Sequence, residues 1–129
     1  MKSKRLVIQI NKPVAEVFSF VINPKNTPKW IDSITQEEIN ESPPKLGTIY
    51  KNQNRDGGWA EYEMTAFEKN KMFVMSNKAS AYHVKYALTP VNGNSTELEY
   101  YEWVDSGGEI KEPFTSKILE KLKNVMETR

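Results

Sequence analysis

Leu6, Ile8 and Ile10 alternate with Val7 and Gln9 near the start of the chain. That is the period of a half-buried strand and predicts one from Lys4 to Asn11. The period then changes. Val14, Val17, Phe18 and Val21 recur at helical spacing after Pro13, and Asn23-Pro24 stops them, so a short helix follows. Asn23-Pro24 and Thr27-Pro28 each pair a capping residue with a proline suited to a first helical position. They predict one or two further turns ending near Trp30-Ile31. From Ser33 the pattern returns to strand: a weak one over Ser33 to Glu41, with Ile34 and Ile39 as its apolar members, and others over Thr48 to Arg55, Trp59 to Phe67, Met72 to Lys78 and Ala81 to Thr89. In the fourth strand Tyr62, Met64 and Ala66 oppose Glu61, Glu63 and Thr65; in the sixth Tyr82, Val84, Tyr86 and Leu88 oppose His83 and Lys85. A last strand places Thr96, Leu98, Tyr100, Glu102 and Val104 on one face.

Between these segments stand turn residues: the Pro43, Pro44 and Gly47 loop, Asp56-Gly57-Gly58, Glu68 to Lys71, Asn92-Gly93-Asn94 and Ser106-Gly107-Gly108. The chain closes on Pro113 to Arg129, where Phe114, Ile118, Leu122, Val125 and Met126, widened by Leu119, form one apolar stripe. About 16 residues make a rod of roughly 24 Å, enough to cross a small sheet. The order is strand, two short helices, about six antiparallel strands, long helix. It predicts an α+β fold: a curved antiparallel sheet of about seven strands joined as a meander, with the last helix across one face.

Composition bounds the rest. At 129 residues the chain reads as one domain, 1–129. Its 18 basic and 17 acidic residues balance, which gives no electrostatic reason to expect nucleic acid. Cysteine is absent, so disulfides, thiolate nucleophiles and thiolate metal sites are excluded. No run approaches the roughly 18 apolar residues of a membrane span, so membrane insertion is not expected and a cytoplasmic location is.

The residues in this order resemble the START/Bet v 1-like (SRPBCC, helix-grip) superfamily, and within it the small bacterial polyketide cyclase/dehydrase-type proteins. The resemblance is carried by Ile10-Asn-Lys-Pro-Val-Ala-Glu-Val-Phe-Ser-Phe-Val, by Asn23-Pro-Lys-Asn-Thr-Pro-Lys-Trp30, by Leu46-Gly47 leading to Tyr50, and by Tyr86-Ala-Leu-Thr-Pro-Val-Asn-Gly-Asn-Ser-Thr96. It spans essentially the whole chain. It implies a deep apolar cavity between sheet and C-terminal helix for a lipid, sterol, plant hormone, quinone or polyketide. Some members are enzymes and many small bacterial ones have no established activity. The chain departs from two branches. It lacks the His/Cys set of the iron-dependent oxygenases, and its loop Ser42-Pro-Pro-Lys-Leu-Gly47 is not the multi-glycine loop of the pollen-allergen branch.

The face carrying Tyr62, Met64, Tyr82, Val84, Tyr86, Leu98 and Tyr100 is the expected wall, with Ile118, Leu122 and Met126 facing it from the helix. Each of these also suits an ordinary core. The set points to a pocket because four inward tyrosines each need a partner for the hydroxyl. Glu102 shares that face. A carboxyl there is either pushed toward its neutral form by burial or held by a partner such as a tyrosine, making it a candidate acid/base or ligand anchor; the alternative is that the strand twists and Glu102 reaches solvent at the rim. His83, the one histidine, faces away, and no triad or metal partners stand near it in the sequence. Glu37, Glu38, Glu61 and Glu63 read as solvated strand positions, so no metal and no cofactor are expected. Tyr101 with Trp103 on the outward parity suggests an apolar patch for a homodimer. Gly107-Gly108 before the final helix suggests a hinge, and hence a helix that gates the cavity. Two functions lead: a carrier or sensor of an apolar or aromatic small molecule, and a small cofactor-free cyclase, dehydratase or aromatase in which Glu102 and inward tyrosines such as Tyr86 and Tyr100 handle protons on a polyketide-like substrate; a third is a partner-binding module acting through Trp103 and Tyr101.

Overall fold

The computed structural model describes residues 2–105, 107–110 and 112–128. Its elements are β1 (Ser3–Ile10), α1 (Val14–Ile22), α2 (Thr27–Trp30), β2 (Ile34–Ile39), β3 (Ile49–Asn54), β4 (Trp59–Glu68), β5 (Met72–Asn77), β6 (Tyr82–Asn92), β7 (Ser95–Val104) and α3 (Ser116–Glu127). The strands form one antiparallel sheet of seven in the order β1-β7-β6-β5-β4-β3-β2. Thus β2 to β7 are a plain meander, and β1 returns to close on β7. This is the helix-grip architecture expected from the residue pattern.

Bulges curl the sheet and re-aim its side chains. One lies between Ile34 and Gln36, another between Met64 and Ala66, a third between Pro90 and Asn92. An extra residue on one strand reverses the in/out parity beyond it. In β4 the reversal puts Phe67 inward, edge-on to Phe18 of α1 at 5.7 Å, so the expected inward Ala66 is replaced by Phe67. In β6 the strand runs past the expected Thr89 and through Pro90. The β5 partner ends at the Met72–Ala87 pair, so Pro90 has a neighbour on one side only and no amide hydrogen is missed there.

The helices cover one face. α1 buries Val17, Phe18, Phe20 and Val21 and packs on β6 and β7, while α3 packs on β1 and α2. α3 is shorter than expected. Its first turn begins at Ser116, and Pro113 is not its first residue. The reason is local: the Phe114 amide donates to Glu102 Oε2 at 2.8 Å and the Phe114 ring stacks on Tyr100 at 4.0 Å. Thr115, next along, is extended (φ −117°, ψ 158°) and takes the cap position, so the helix starts at Ser116. Twelve residues make a rod of about 18 Å. Leu119, Leu122 and Met126 are fully buried along it. Its far end is tied down as well, by Lys123 Nζ on the Gln9 carbonyl and by the Asn11 amide on Glu127. A rod held along its length is not a free gate; the piece with a different attachment is the strap before it, around Phe114.

Candidate functional site

The inward residues of β6 and β7 pair directly: Val84 with Glu102, Tyr86 with Tyr100, Leu88 with Leu98. Directly opposed residues on one face bring their rings together. Tyr86 meets Tyr100 edge-on at 5.2 Å and lies flat on Phe73 of β5 at 4.6 Å. Trp30, at the end of α2, stands edge-on to Tyr86 at 6.3 Å and to Phe114 at 6.0 Å. Tyr62 of β4 meets Tyr82 at 6.4 Å. These seven aromatic side chains, with Val21, Ile31, Ile34, Met75 and Val84, wall a cavity of about 110 Å³. Thr27, Glu37 and Asn52 are its remaining lining residues. A wider mouth of about 640 Å³ adjoins it and shares Ile31, Ile34, Asn52, Tyr62, Tyr82 and Phe114.

Of the residues expected from the sequence, Tyr62, Tyr82, Val84, Tyr86 and Tyr100 line this chamber. Met64, Leu98, Glu102, Ile118, Leu122 and Met126 do not. Met64, Leu98, Leu122 and Met126 are fully buried in solid core. The helix residues are set back because α3 lies over β1 and α2, so the chamber is closed by α2 and the Phe114 strap instead of by α3. Glu102 is inward but wholly enclosed, with no exposure, and it does not reach solvent at the rim. Tyr82 Oη donates to its Oε1 at 2.6 Å and the Phe114 amide to its Oε2, so both oxygens act as acceptors. Tyr82 and Tyr100 hydroxyls lie 3.3 Å apart. Glu102 therefore touches the chamber through the Tyr82 hydroxyl and the Phe114 amide, and only the first of these can pass it a proton.

The carboxyl that does line the chamber is Glu37. The β2 bulge turns it inward, opposite Asn52 of β3. Thr27 Oγ1 donates to it at 2.6 Å and Asn52 Nδ2 at 3.3 Å. Burial pushes its pKa above the usual carboxyl value, against the lowering effect of these two donors. The expectation of a solvated Glu37 fails for that reason. The signal was present: Ile34 and Ile39, both apolar, have opposite parity, which one strand with one buried face accommodates only with a bulge. Burial likewise raises Tyr62 and Tyr82, and Tyr86 and Tyr100 well above the usual phenol range. The chamber's phenols are thus neutral O–H groups near neutral pH, able to donate or accept hydrogen bonds but unsuited to act as phenolate bases. Among the described residues, Trp30 Nε1 is the one buried side-chain polar atom without a partner.

On the opposite face, His83 has partners that the sequence does not show. Ser76 Oγ lies 2.7 Å from Nδ1 and Asp105 Oδ2 2.8 Å from Nε2, while the ring stacks on Trp103 at 4.9 Å. The residue types are those of a hydrolase triad, but the setting is not. Ser76 sits inside β5, between β4 and β6, so its strand's main-chain groups are engaged in the ladders. Its hydroxyl is also shared with Thr65 at 2.8 Å. The row ties strands together. Trp103 also stacks on Tyr101 at 5.4 Å, and both are partly buried, so this face keeps only part of the apolar surface expected of it.

A family model described as "Polyketide cyclase / dehydrase and lipid transport" matches residues 1–127. No curated protein matches the chain. Among solved structures, a protein of Nitrosomonas europaea is similar with a TM-score of 0.79 at 13% identity, covering 98% of this chain and 95% of that one. A START superfamily protein of Mycobacterium smegmatis gives 0.71 at 15% identity, covering 99% and 96%. The Aha1 dimer of Colwellia psychrerythraea gives 0.70 at 16% identity, covering 98% and 97%. At these identities the likeness is one of fold. Among the described residues no helix is long and apolar enough to cross a membrane.

Proposed function

The chain belongs to the polyketide cyclase/dehydrase and lipid-transport family, and from that membership and the shape of the chamber we propose that it binds a small apolar or aromatic molecule as a carrier or sensor. The observation that carries this reading is the aromatic-walled chamber with a few polar groups at its edge, which is the composition of a small-molecule pocket. Its volume of about 110 Å³ takes one ring when the ring extends into the adjoining mouth. A cavity of about 150 Å³ holds benzene. A fused polyketide or a long acyl chain needs the Phe114 strap to swing toward the mouth first. Cytoplasmic location belongs to the same proposal, as does a homodimer through the Tyr101–Trp103 face, which gel filtration over a range of concentrations tests.

Native mass spectrometry after mild purification, followed by thermal-shift screening of single-ring phenols, quinones and short lipids, tests the reading. A ligand at about 100 times its Kd adds about 2.7 kcal/mol. For a chain of this length that is a rise of about 10 °C in Tm. A protein that emerges empty, and whose Tm none of these compounds moves, would end the proposal.

One observation favours a second reading. Glu37 is a carboxyl held toward its neutral form inside the chamber, which suits a general acid. In a cofactor-free cyclase, dehydratase or aromatase acting on a polyketide-like substrate, Glu37 would exchange the proton directly and Glu102 only through Tyr82. Glu37→Gln should then lower turnover by about 100-fold or more and Glu102→Gln by less. Equal loss in both, or in neither, rejects that assignment.

A further inference from the structure

The chamber has π faces and a carboxyl but no cation. Glu37 is its one acidic lining residue, and no described Lys or Arg lines the chamber or the mouth, in a chain with 18 basic side chains. Lys4, opposite Glu102 in the β1–β7 register, lines neither. The mouth adds Glu109, which has the Lys2 charge near it, and Glu112. The partners of Glu37 are the neutral donors Thr27 and Asn52. Burial chiefly, and then Glu37 and Glu102, raise the Tyr62 and Tyr86 phenols, so these carboxyls lie close enough to act on the chamber's rings.

Resting on the reading that the chamber binds a small molecule, we propose that this molecule is an organic cation: a compact apolar body carrying an ammonium group, held by Glu37 and by the faces of neighbouring aromatic rings. Three physical effects converge on this class. A desolvated carboxyl without a charged partner gains most from a cation brought against it. Aromatic faces attract ammonium groups through the ring quadrupole, most strongly Trp and Tyr, and Trp30, Tyr62, Tyr82 and Tyr86 are all present. An anionic head in the chamber meets the Glu37 carboxyl and no described basic lining residue to receive it.

The test compares three probes with the same ring and differing heads: phenethylamine, phenethyl alcohol and hydrocinnamate. Their affinities are measured by calorimetry or by protein NMR shifts, near neutral pH and at low salt. The amine is expected to bind about tenfold more tightly than the alcohol or better, and the acid weakest. Added salt should narrow the gap. In the Glu37→Gln variant the amine and alcohol should draw within about threefold. An alcohol that binds the wild-type protein as tightly as the amine overturns the charge preference while leaving a small-molecule pocket standing. Hydrocinnamate binding tightest overturns it in the same way. If none of the three binds at millimolar concentration, this inference fails, and the pocket reading fails with it only where the phenols, quinones and short lipids also leave Tm unmoved. The wild-type comparison decides the question even if the variant folds poorly.

Discussion

Glu102 is the residue whose removal the structure prices most clearly. It has no exposed surface and accepts from two donors, the Tyr82 hydroxyl at 2.6 Å and the Phe114 amide at 2.8 Å. In Glu102→Gln one oxygen survives. If it keeps the Phe114 amide, the new NH2 faces Tyr82, whose hydroxyl can turn to accept it and donate to Tyr100 instead. One strong bond becomes a weaker one, at about 1–2 kcal/mol. Glu102→Leu strands the Phe114 amide and leaves the Tyr82 hydroxyl only the long 3.3 Å contact with Tyr100. Each buried unsatisfied donor costs about 1–3 kcal/mol. After the gain from the extra apolar burial we expect a net loss of about 3–4 kcal/mol. That is a large share of a typical domain's stability. At about 4 °C per kcal/mol for this chain length, Tm should fall by about 4–8 °C for Gln and about 12–16 °C for Leu. Urea unfolding supplies the free energies directly. Amide exchange at Phe114 supplies the local readout, since the strap is released before the sheet opens. The reasoning is refuted if Leu costs no more than Gln, or if Phe114 exchange in the Leu variant rises no faster than that of the β6 and β7 core amides.

Three further outcomes follow from the same geometry. Trp30→Phe removes a buried side-chain N–H without a partner, which offsets the lost ring volume; stability should change by less than about 1 kcal/mol, whereas Trp30→Ala should cost about 3–5 kcal/mol by urea unfolding. The raised Glu37 pKa means that the folded state binds its proton more tightly than the unfolded state does. Wild-type stability therefore falls as pH rises from the ordinary carboxyl value through the raised one. Relative to wild type, Glu37→Gln should gain stability across that window and the gain should vanish below it; a difference that does not vary with pH contradicts the burial of this carboxyl. A Cβ on Gly108 would lie 2.1 Å from Val104 Cγ1. Gly108→Ala should thus cost about 1–3 kcal/mol, and the added Val104→Ala should recover part of that in a double-mutant cycle.

Most of the fold could be read from the residues because the strands are bounded by strong turn chemistry and their faces alternate with period two. What could not be read came from two sources. Bulges reverse parity without changing composition, and so hid Glu37 on β2 and Phe67 on β4. The spacing of Ile34 and Ile39 was the available hint. The second source is competition for the same residues. Phe114 fits the helical stripe, but its amide and ring are worth more against Glu102 and Tyr100 than in a first helical turn. Among the candidate site residues, Tyr62 of β4, Tyr82, Val84 and Tyr86 of β6 and Tyr100 of β7 line the chamber, and cross-strand register puts Tyr86 beside Tyr100. The α3 residues were assigned by face alone, and the face says nothing about which part of the sheet the helix covers. His83 shows the same limit, because Ser76 and Asp105 reach it only through strand pairing.

The closing of β1 onto β7 has a consequence for the order in which the structure forms. Strands β2 to β7 pair with their sequence neighbours, so each hairpin closes a short loop. β1 pairs Ser3 with Trp103 and Ile10 with Thr96, across most of the chain. By chain entropy this closure costs roughly 3 kcal/mol more than a hairpin, and it waits until β7 exists. During synthesis the first strand and α1 must therefore remain unpaired while the meander assembles behind them. Contacts of such long range slow folding. The apolar residues of β1 are then the surface that a nascent chain most needs shielded, and substitutions there should tax yield in the cell more than they tax the stability of the finished protein.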